Sequence, residues 1–352
     1  MQIILPGLLA GLLNTLLIPF ILLVARKNQW FDKPDPRKIH TDKIPRLGGV
    51  GIFLAFIGSI AVSLIFSGSY RQEILLFWPV LVSMLAVHLL GLVDDFYDLN
   101  ARFKFIVQVG AAVFVVAMGY RFTHIWLPGL GSLAIGWLSW PLTLFWIVGV
   151  LNAINMIDGL DGLSSGISLI AALGIGLLLM EHGAGFPALM ALCLVGSLAG
   201  YLLYNFPPAK IFMGDSGSTF LGFTLAVLPL LDTGHVAEGL WFWGAITLLL
   251  VPVFDVFAAI LRRKRGGVPM MSPDKWHIHH KLMHFGFSTR TILGIIYALC
   301  MLATLVAISV LALPALWYWL LTVVVWLGFG AFFIVLHYAK ERSLRKAHTV
   351  KK

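Results

Sequence analysis

Long apolar runs recur along the whole chain and restrict it to folds that span a lipid bilayer. A bilayer core of about 30 Å needs about 20 residues of helix, and runs of that order continue to residue 338. Of the 352 residues, 59% are hydrophobic and 12% are charged, whereas about a quarter of a soluble domain is charged. The sequence therefore predicts an all-α, polytopic membrane protein.

The apolar runs predict eleven transmembrane helices, separated by short links that are polar or contain Gly and Pro. They form one predicted transmembrane domain, residues 1–339, which a basic tail, residues 340–352, follows. The predicted spans are 3–24, 48–67, 73–93, 104–120, 135–155, 163–181, 186–205, 218–232, 240–261, 291–311 and 315–338.

The basic residues predict the orientation of the chain. If the N-terminus lies outside, every Lys and Arg except Arg71 and Arg121 falls in an inner link or in the tail. Because cytoplasmic loops are enriched in Lys and Arg, this asymmetry predicts a cytoplasmic C-terminus and a multi-pass protein of the cytoplasmic membrane. It also explains the net charge of +9 without a nucleic-acid partner. A basic inner face attracts anionic lipid headgroups and anionic substrates.

The polar clusters of the sequence all fall on the predicted cytoplasmic side. They are DKPDPRKIHTDKIPRLGG, GLVDDFYDLNARFK, NAINMIDGLDG, NFPPAKIFMGDSGS and SPDKWHIHHKLMH. Since they meet one face of an apolar bundle, we expect a single polar site at the membrane surface.

Acidic residues at the end of the third span are candidate ligands for a hard cation. Asp94 or Asp95 shares a helix face with Asp98, and adjacent carboxylates repel unless a cation or a proton neutralises one of them. Mg²⁺ takes one or two carboxylates together with phosphate oxygens. The alternative is a solvated helix end in which Arg102 and Lys104 pair with the acids.

The stretch NAINMIDGLDG combines amides, carboxylates and glycines where two spans meet. Such side chains can hydrogen-bond the hydroxyls of a sugar or the edge of a base, although Asn and Asp before Gly also form ordinary turns and caps. The candidate residues are Asn152, Asn155, Asp158, Gly159, Leu160 and Asp161.

The next motif, KIFMGDSGS, places Asp215 in a Gly-rich segment that opens a helix. Backbone of this kind binds phosphate, and Asp215 is a candidate metal ligand; a simple N-cap by Ser216 or Ser218 is the alternative.

Four histidines lie within the eight residues of HIHHKLMH. They predict contact with a phosphate or a sugar, with a zinc site or a solvated loop as alternatives. The two cysteines, Cys193 and Cys300, lie in apolar runs and are expected to be packed thiols.

Acids for a divalent ion, basic groups for phosphates and apolar walls for a lipid together predict phosphoryl transfer from a water-soluble donor to a lipid acceptor. A transporter is one alternative, because buried acids also form ion relays, but transporter sites usually lie at the bilayer midplane. An aspartate-rich prenyltransferase is another, since DDFYD matches D-D-x-x-D, yet it leaves the MGD and HIHH segments without a role.

Five ordered motifs resemble those of the polyprenyl-phosphate N-acetylhexosamine-1-phosphate transferases. They are PRLGG (45–49), GLVDDFYDLNARFK (91–104), NAINMIDGLDGLSSG (152–166), IFMGDSGS (211–218) and PDKWHIHHKL (273–282). The HIHH segment after PDKW is similar to the branch of WecA and TagO, whereas the related MraY branch has a histidine triplet.

The resemblance implies a role for individual residues. Asp94 and Asp95 would act as paired catalytic acids, with Asp95 also near the metal that Asp215 binds. Asp158, which we also include among the catalytic residues, would hold the uridine together with Gly159, Leu160 and Asp161. The remaining substrate-binding residues would be Lys43 at the diphosphate, Phe212 at the uracil, and His277, His279 and His280 at the sugar-phosphate.

The resemblance also implies the reaction. UDP-GlcNAc and undecaprenyl phosphate would give undecaprenyl-diphospho-GlcNAc and UMP, with Mg²⁺ or Mn²⁺ as cofactor, as the first lipid-linked step of an envelope polysaccharide. Another UDP-N-acetylhexosamine as donor, and a homodimer, remain open at this stage. Direct attack by the lipid phosphate and an aspartyl-phosphate intermediate also both remain open.

Overall fold

The chain folds into a bundle of α-helices in the computed structural model, which describes residues 3–31, 44–231, 240–267 and 276–350. The helices are α1 (Ile4–Lys27), α2 (Gly48–Phe66), α3 (Gly68–Tyr97), α4 (Ala101–Ala117), α5 (Ser139–Ile157), α6 (Leu163–Glu181), α7 (Gly185–Asn205), α8 (Gly214–Val227), α9 (Leu240–Leu248), α10 (Leu250–Arg265), α11 (Ile278–His284), α12 (Thr289–Ile308) and α13 (Ala315–Val350). The predicted helical membrane fold is confirmed.

The number of full-length spans differs from the predicted eleven. Within the described ranges, eight helices are long and apolar enough to cross a membrane, and nine if α9 and α10 form one span bent by 78°. The difference comes from α4 and α8, whose 17 and 14 residues are short for a crossing. In α8 every residue except Asp215 is buried, so this helix packs against protein along its whole length.

A small β-hairpin departs from the predicted all-α architecture. Strands β1 (His124–Leu127) and β2 (Gly131–Ala134) pair antiparallel, with Trp126 opposite Ser132. The hairpin packs on the bundle through aromatic residues: Trp126 stacks on Trp319 of α13 at 5.7 Å, and Trp243 of α9 donates its indole N–H to the carbonyl of Trp126 at 2.7 Å. The hairpin thus covers the end of the bundle at which α9 and α13 begin.

Two apolar cores hold the bundle together. The larger one joins α1–α9 and contains the fully buried Phe56, Phe186 and Phe220. The smaller one joins the end of α5 and α6 to α10–α13, and it includes Ile278 and Leu282 of α11. Helix α8 contacts α2, α3, α5 and α6. Its N-terminus therefore lies where the polar motifs on these helices converge.

Candidate active site

A tight turn between α3 and α4 brings Asp94 to Lys104. Asp98 adopts a left-handed conformation (φ 50°) that ends α3, and the Asn100 side chain caps α4 by accepting the N–H of Arg102 at 2.9 Å. Asp94 then accepts the backbone N–H of Leu99 at 2.7 Å and the ammonium of Lys104 at 2.7 Å. The carboxylate is buried and paired, so it belongs to a network instead of a solvated helix end.

Asp95 holds the N-terminus of α8. Its two carboxylate oxygens accept the backbone N–H groups of Asp215 at 2.7 Å and of Ser216 at 3.0 Å. A carboxylate is favourable there because the first N–H groups of a helix lack partners within the helix and carry partial positive charge. The contact requires α3 to approach α8 closely. A Cβ on Gly91 would lie 2.4 Å from the carbonyl oxygen of Asp215.

Asp215 is the acid at which the network meets. Lys104 donates to its Oδ2 at 3.1 Å, Asn155 donates to its Oδ1 at 3.4 Å, and the Arg46 guanidinium lies 3.7 Å from Oδ1. The Arg46 guanidinium is also 3.9 Å from Oδ1 of Asp95. Of the residues described, two cations and three carboxylates therefore share one site at the ends of α2, α3, α4 and α8.

The segment before Asp215 is fixed to the start of α2. The backbone N–H of Phe212 donates to the carbonyl of Pro45 at 2.8 Å, and its carbonyl accepts the N–H of Gly48 at 2.9 Å. Gly214 follows with φ +74°, and a Cβ there would lie 2.5 Å from the carbonyl oxygen of Arg46. This pairing places Phe212 and Arg46 beside the acids.

Asp158 closes another side of the site, just beyond the end of α5. The Ser164 hydroxyl donates to Asp158 Oδ1 at 2.5 Å and also lies 3.8 Å from the Met213 sulfur. Burial, outweighing the Ser164 hydrogen bond, raises the pKa of the Asp158 carboxyl to about 6, with the negative charge of Asp215 adding to the effect. The structure thus brings Asp94, Asp95, Asp158, Asn155 and Asp215 to one end of the bundle, and their roles stay predictions.

Some predicted site residues have structural contacts of their own. Asn152 donates to Gln108 of α4 at 3.1 Å and lies one turn deeper in α5 than Asn155, so the structure does not bring its amide to the acids. Leu160 is 8% exposed and packs in the smaller core. Asp161 is buried and accepts the N–H of Ala209 at 3.0 Å, which fixes the segment leading to Phe212.

The histidine segment forms the short helix α11, which approaches the site at Gly159. His279 is 1% exposed, and a Cβ on Gly159 would lie 2.9 Å from its Nε2. Burial, together with the neighbouring His280 and His277, lowers the pKa of His279 well below its usual value. The His279 and His280 rings lie 4.2 Å apart. His279 is therefore a neutral imidazole against the loop that carries Asp158.

Three residues of this region were not among the predicted site residues. Lys104 and Arg46 supply its positive charge, and Asp255 of α10 binds His277 Nδ1 at 2.7 Å. An acid inside an apolar run is a signal that could have identified Asp255. Lys43, predicted at the diphosphate, lies outside the described residues.

A cavity of about 150 Å³ opens beside the acids. Half of its lining side chains are polar or charged, and the other half are apolar, three of them aromatic. Its lining residues are Gln29, Trp30, Phe31, Arg46, Leu47, Asp95, Phe96 and Asp98.

Comparison with known proteins identifies relatives over most of the chain. The family model described as Glycosyl transferase family 4 matches residues 77–232. A probable undecaprenyl-phosphate N-acetylglucosaminyl 1-phosphate transferase of Bacillus subtilis is 36% identical over 314 residues, which cover 89% of this chain and 85% of that protein. An undecaprenyl-phosphate alpha-N-acetylglucosaminyl 1-phosphate transferase of Yersinia pestis is 30% identical over 94% of this chain and 89% of its own. A decaprenyl-phosphate N-acetylglucosaminephosphotransferase of Mycobacterium tuberculosis is 33% identical over 75% of this chain and 71% of its own.

Proposed function

The chain belongs to glycosyl transferase family 4, the polyprenyl-phosphate N-acetylhexosamine-1-phosphate transferases, and from that premise we propose its reaction. It transfers N-acetylglucosamine-1-phosphate from UDP-GlcNAc to undecaprenyl phosphate, which gives undecaprenyl-diphospho-GlcNAc and UMP. The relatives' names support the acceptor and the sugar. The acids, amides and basic residues of the motifs support the same chemistry.

One observation carries this proposal more than any other. Lys104 bridges Asp94 and Asp215 with hydrogen bonds of 2.7 and 3.1 Å, and Arg46 adds a second cation 3.7 Å from Asp215. Phosphoryl transfer depends on positioning and on neutralising the charge of the phosphates, and it needs little covalent chemistry from the protein. A mixed cluster of cations, acids and amides at one end of an apolar bundle meets that requirement.

The same end of the bundle lies at the cytoplasmic face in our proposal, with the N-terminus outside and the protein in the cytoplasmic membrane. Helices α4 and α8 and the bent pair α9–α10 complete eleven crossings with the eight long helices. The basic end of α10, Arg262 to Arg265, supports this orientation by the positive-inside rule. A homodimer stays a prediction.

A divalent cation fits the donors that are present. Among the residues described, no group of three or more His, Cys, Asp or Glu is arranged to hold a metal, but Mg²⁺ is typically bound by one or two carboxylates plus substrate phosphates. Asp215, with the Asn155 side chain beside it, would hold Mg²⁺ or Mn²⁺; Asp95 as a further ligand stays a prediction. When bound, the ion supplies charge neutralisation at the diphosphate.

The acceptor phosphate attacks the donor directly in this proposal. The second pKa of a phosphate monoester is about 6, so the lipid phosphate is mostly a dianion near pH 7 and needs no strong base. One of its oxygens forms a bond to the β-phosphorus, and the bond from that phosphorus to the bridging oxygen breaks, leaving the electron pair on UMP. Asp94 supports this route, because Lys104 and the Leu99 N–H already engage its oxygens.

The other side chains orient the two substrates. Lys104 and Arg46 would bind phosphate oxygens once the substrates separate them from the acids. Asp158 and the neutral His279 flank Gly159, where the nucleotide sugar would lie. Phe212, fixed by Pro45 and Gly48, would stack on the uracil.

Release of UMP by the purified protein tests the proposed function. The protein is incubated with Mg²⁺, undecaprenyl phosphate and a panel of UDP-sugars that includes UDP-GlcNAc, UDP-GalNAc and UDP-glucose. We expect UMP with UDP-GlcNAc only when the lipid acceptor is present. Absence of UMP with every UDP-N-acetylhexosamine would overturn the proposal, and release with UDP-GalNAc alone would reassign the donor.

A second experiment separates direct attack from an aspartyl-phosphate intermediate. The protein is incubated with donor labelled at the β-phosphorus, without acceptor, and the label on the protein is measured after rapid denaturation. We expect none above background. A stoichiometric label that D94N or D95N abolishes would establish the double-displacement route.

A further inference from the structure

Asp255 is a buried acid in an apolar helix segment, VPVFDVFAAIL, and the proposed mechanism gives it no role. It is 1% exposed and lies on α10, outside the cluster around Asp215. An ionised carboxylate is costly to bury unless hydrogen bonds satisfy it. Among the residues that the structure describes, both hydrogen-bond partners of Asp255 come from the histidine segment, at the start of α11.

The first contact selects a tautomer of His277. Asp255 Oδ2 lies 2.7 Å from His277 Nδ1, and a carboxylate only accepts hydrogen bonds. Nδ1 therefore carries the proton, so Nε2 is the nitrogen left to contact another molecule. Hydrogen bonding of one ring nitrogen sets the chemistry of the other in this way at many histidine sites.

The second contact fixes the helix that follows. Asp255 Oδ1 accepts the backbone N–H of Ile278 at 3.0 Å. This N–H belongs to the first turn of α11, where backbone N–H groups have no acceptor within the helix. This bond sets the start of α11, and hence the position of His279 one residue later. The His277 and His279 rings lie parallel, 6.0 Å apart.

The fixed segment presents an unsatisfied imidazole to the site. Both ring nitrogens of His279 are buried and have no hydrogen-bond partner among the described residues, although buried polar atoms are nearly always bonded. The ring lies against Gly159, next to Asp158. A hydrogen-bonding ligand beside Gly159 would satisfy it.

We propose that Asp255 is a positioning residue for the transfer reaction, because it sets the tautomer of His277 and the start of α11 and so aligns the histidines with the sugar-phosphate of the donor. The inference rests on the proposed function. The carboxylate itself touches no substrate and acts through His277 and Ile278.

Helix α11 does not depend on Asp255 alone for its place in the fold. Ile278 and Leu282, one turn apart, are 0% and 3% exposed and pack in the smaller core with α10, α12 and α13. We therefore expect D255N to fold. Its amide keeps an acceptor for the Ile278 N–H but donates to His277 Nδ1, which reverses the tautomer.

A double-mutant cycle between Asp255 and His277 tests the inference. UMP release is measured for wild type, D255N, H277Q and D255N/H277Q, with H284Q and D255N/H284Q as the matched control pair. We expect D255N to lower kcat/KM for UDP-GlcNAc by about 10- to 100-fold, the usual cost of removing the group that orients a functional histidine, with KM for the lipid unchanged.

The cycle has a defined pattern if Asp255 acts through His277. D255N then changes the rate less than about twofold once His277 is replaced, and it keeps its full effect in the H284Q background. Equal losses in the wild-type, H277Q and H284Q backgrounds would show a purely structural role and overturn the inference. Wild type that releases no UMP would instead refute the proposed function.

The tautomer can also be read directly. ¹⁵N spectra of histidine-labelled protein, with His277 assigned through H277Q, should show protonated Nδ1 in wild type and protonated Nε2 in D255N. If D255N is not recovered as a folded protein, the tautomer of His277 in the wild-type spectrum is the test. A neutral His277 protonated at Nε2 would overturn the inference.

Discussion

The acids at the site differ in their hydrogen-bond partners. Asp94 binds a lysine, Asp95 binds backbone N–H groups, and Asp158 binds a serine hydroxyl. The environments of Asp158 and the nearby His279 shift their pKa values in opposite directions from their usual values, and both shifts favour the neutral form. Each shift therefore links protonation of one residue to the stability of the fold.

For Asp158 we expect stability to fall as the pH rises from about 4 to about 6. The folded protein binds this proton more tightly than the unfolded chain, where Asp has a pKa of about 3.9. Between that pH and about 6 the unfolded chain has lost the proton and the folded protein still holds it, so stability falls as the pH rises. The melting temperature of D158N relative to wild type should accordingly increase across this window.

The matched variant H279Q should show the opposite trend. In the unfolded chain His279 has a pKa of about 6.5, and in the folded protein its pKa is well below that value. The unfolded chain therefore gains a proton that the folded protein does not, and wild type loses stability as the pH falls below about 6.5. Melting curves in detergent at pH 4 to 8 give the melting temperatures of D158N and H279Q relative to wild type. Parallel pH profiles for D158N and H279Q would contradict the two assignments.

The sequence identified most of the acids and only some of their partners. Asp94, Asp158 and Asp215 stand out because carboxylates are costly at a membrane edge. Lys104 was considered only as a counter-ion of a solvated helix end, whereas it bridges Asp94 and Asp215. Asp255 was missed because its bonds cross a gap between helices, which periodicity does not reveal. Asn152 was grouped with Asn155 because both amides belong to the NAINMIDGLDG stretch, although Asn152 lies about 4.5 Å deeper along the helix axis.

The meeting of α3 with α8 is the contact between elements that the site depends on. Asp95 reaches the first N–H groups of α8 only because Gly91, one turn earlier on α3, lets the two backbones touch. The motif sequence predicted acids at the end of the third span. It did not predict that one of them caps another helix.

The variant G91A should therefore separate the two helices. Its Cβ would lie 2.4 Å from the Asp215 carbonyl oxygen and 2.6 Å from the Ser216 Cα, and backbone atoms do not move aside as side chains do. We expect a stability loss of about 1–3 kcal/mol, as for other overpacked contacts, and a large loss of UMP release.

The matched control is G110A on α4, where a Cβ would meet nothing within 4 Å. It should keep activity and gain up to about 1 kcal/mol from helix propensity. Equal activity and melting temperature for G91A and wild type would show that α3 and α8 are not held in this contact.

The whole molecule separates two ends with different chemistry. One end carries the acids, Arg46 and Lys104, and the other carries the β-hairpin with its tryptophans. The sequence predicted two different ends from charge alone, because nearly all lysines and arginines fall in the links on one side of the predicted bundle. The number of crossings stays a prediction, because α4 and α8 are shorter than a full span.

Labelling of single cysteines tests the proposed orientation. In a background of C193A and C300A, whose thiols are buried, L130C of the hairpin and K210C before α8 are exposed positions at opposite ends. A membrane-impermeant maleimide should label L130C in intact cells and K210C only after permeabilisation. The reverse pattern would place the acids outside the cytoplasm.

The central claim is that Asp215 binds the metal and forms one catalytic site with the acids of α3. The most direct measurement is Mg²⁺-dependent UMP release by purified wild type, D215N and R121A, with Mn²⁺ binding followed by electron paramagnetic resonance. Arg121 stacks over Trp140 at 5.2 Å, away from the acids, and R121A should retain its rate within about twofold. D215N should lose at least about a thousandfold in rate, equivalent to about 4 kcal/mol of transition-state stabilisation, together with Mn²⁺ binding. A near-normal rate and normal Mn²⁺ binding in D215N would contradict the account.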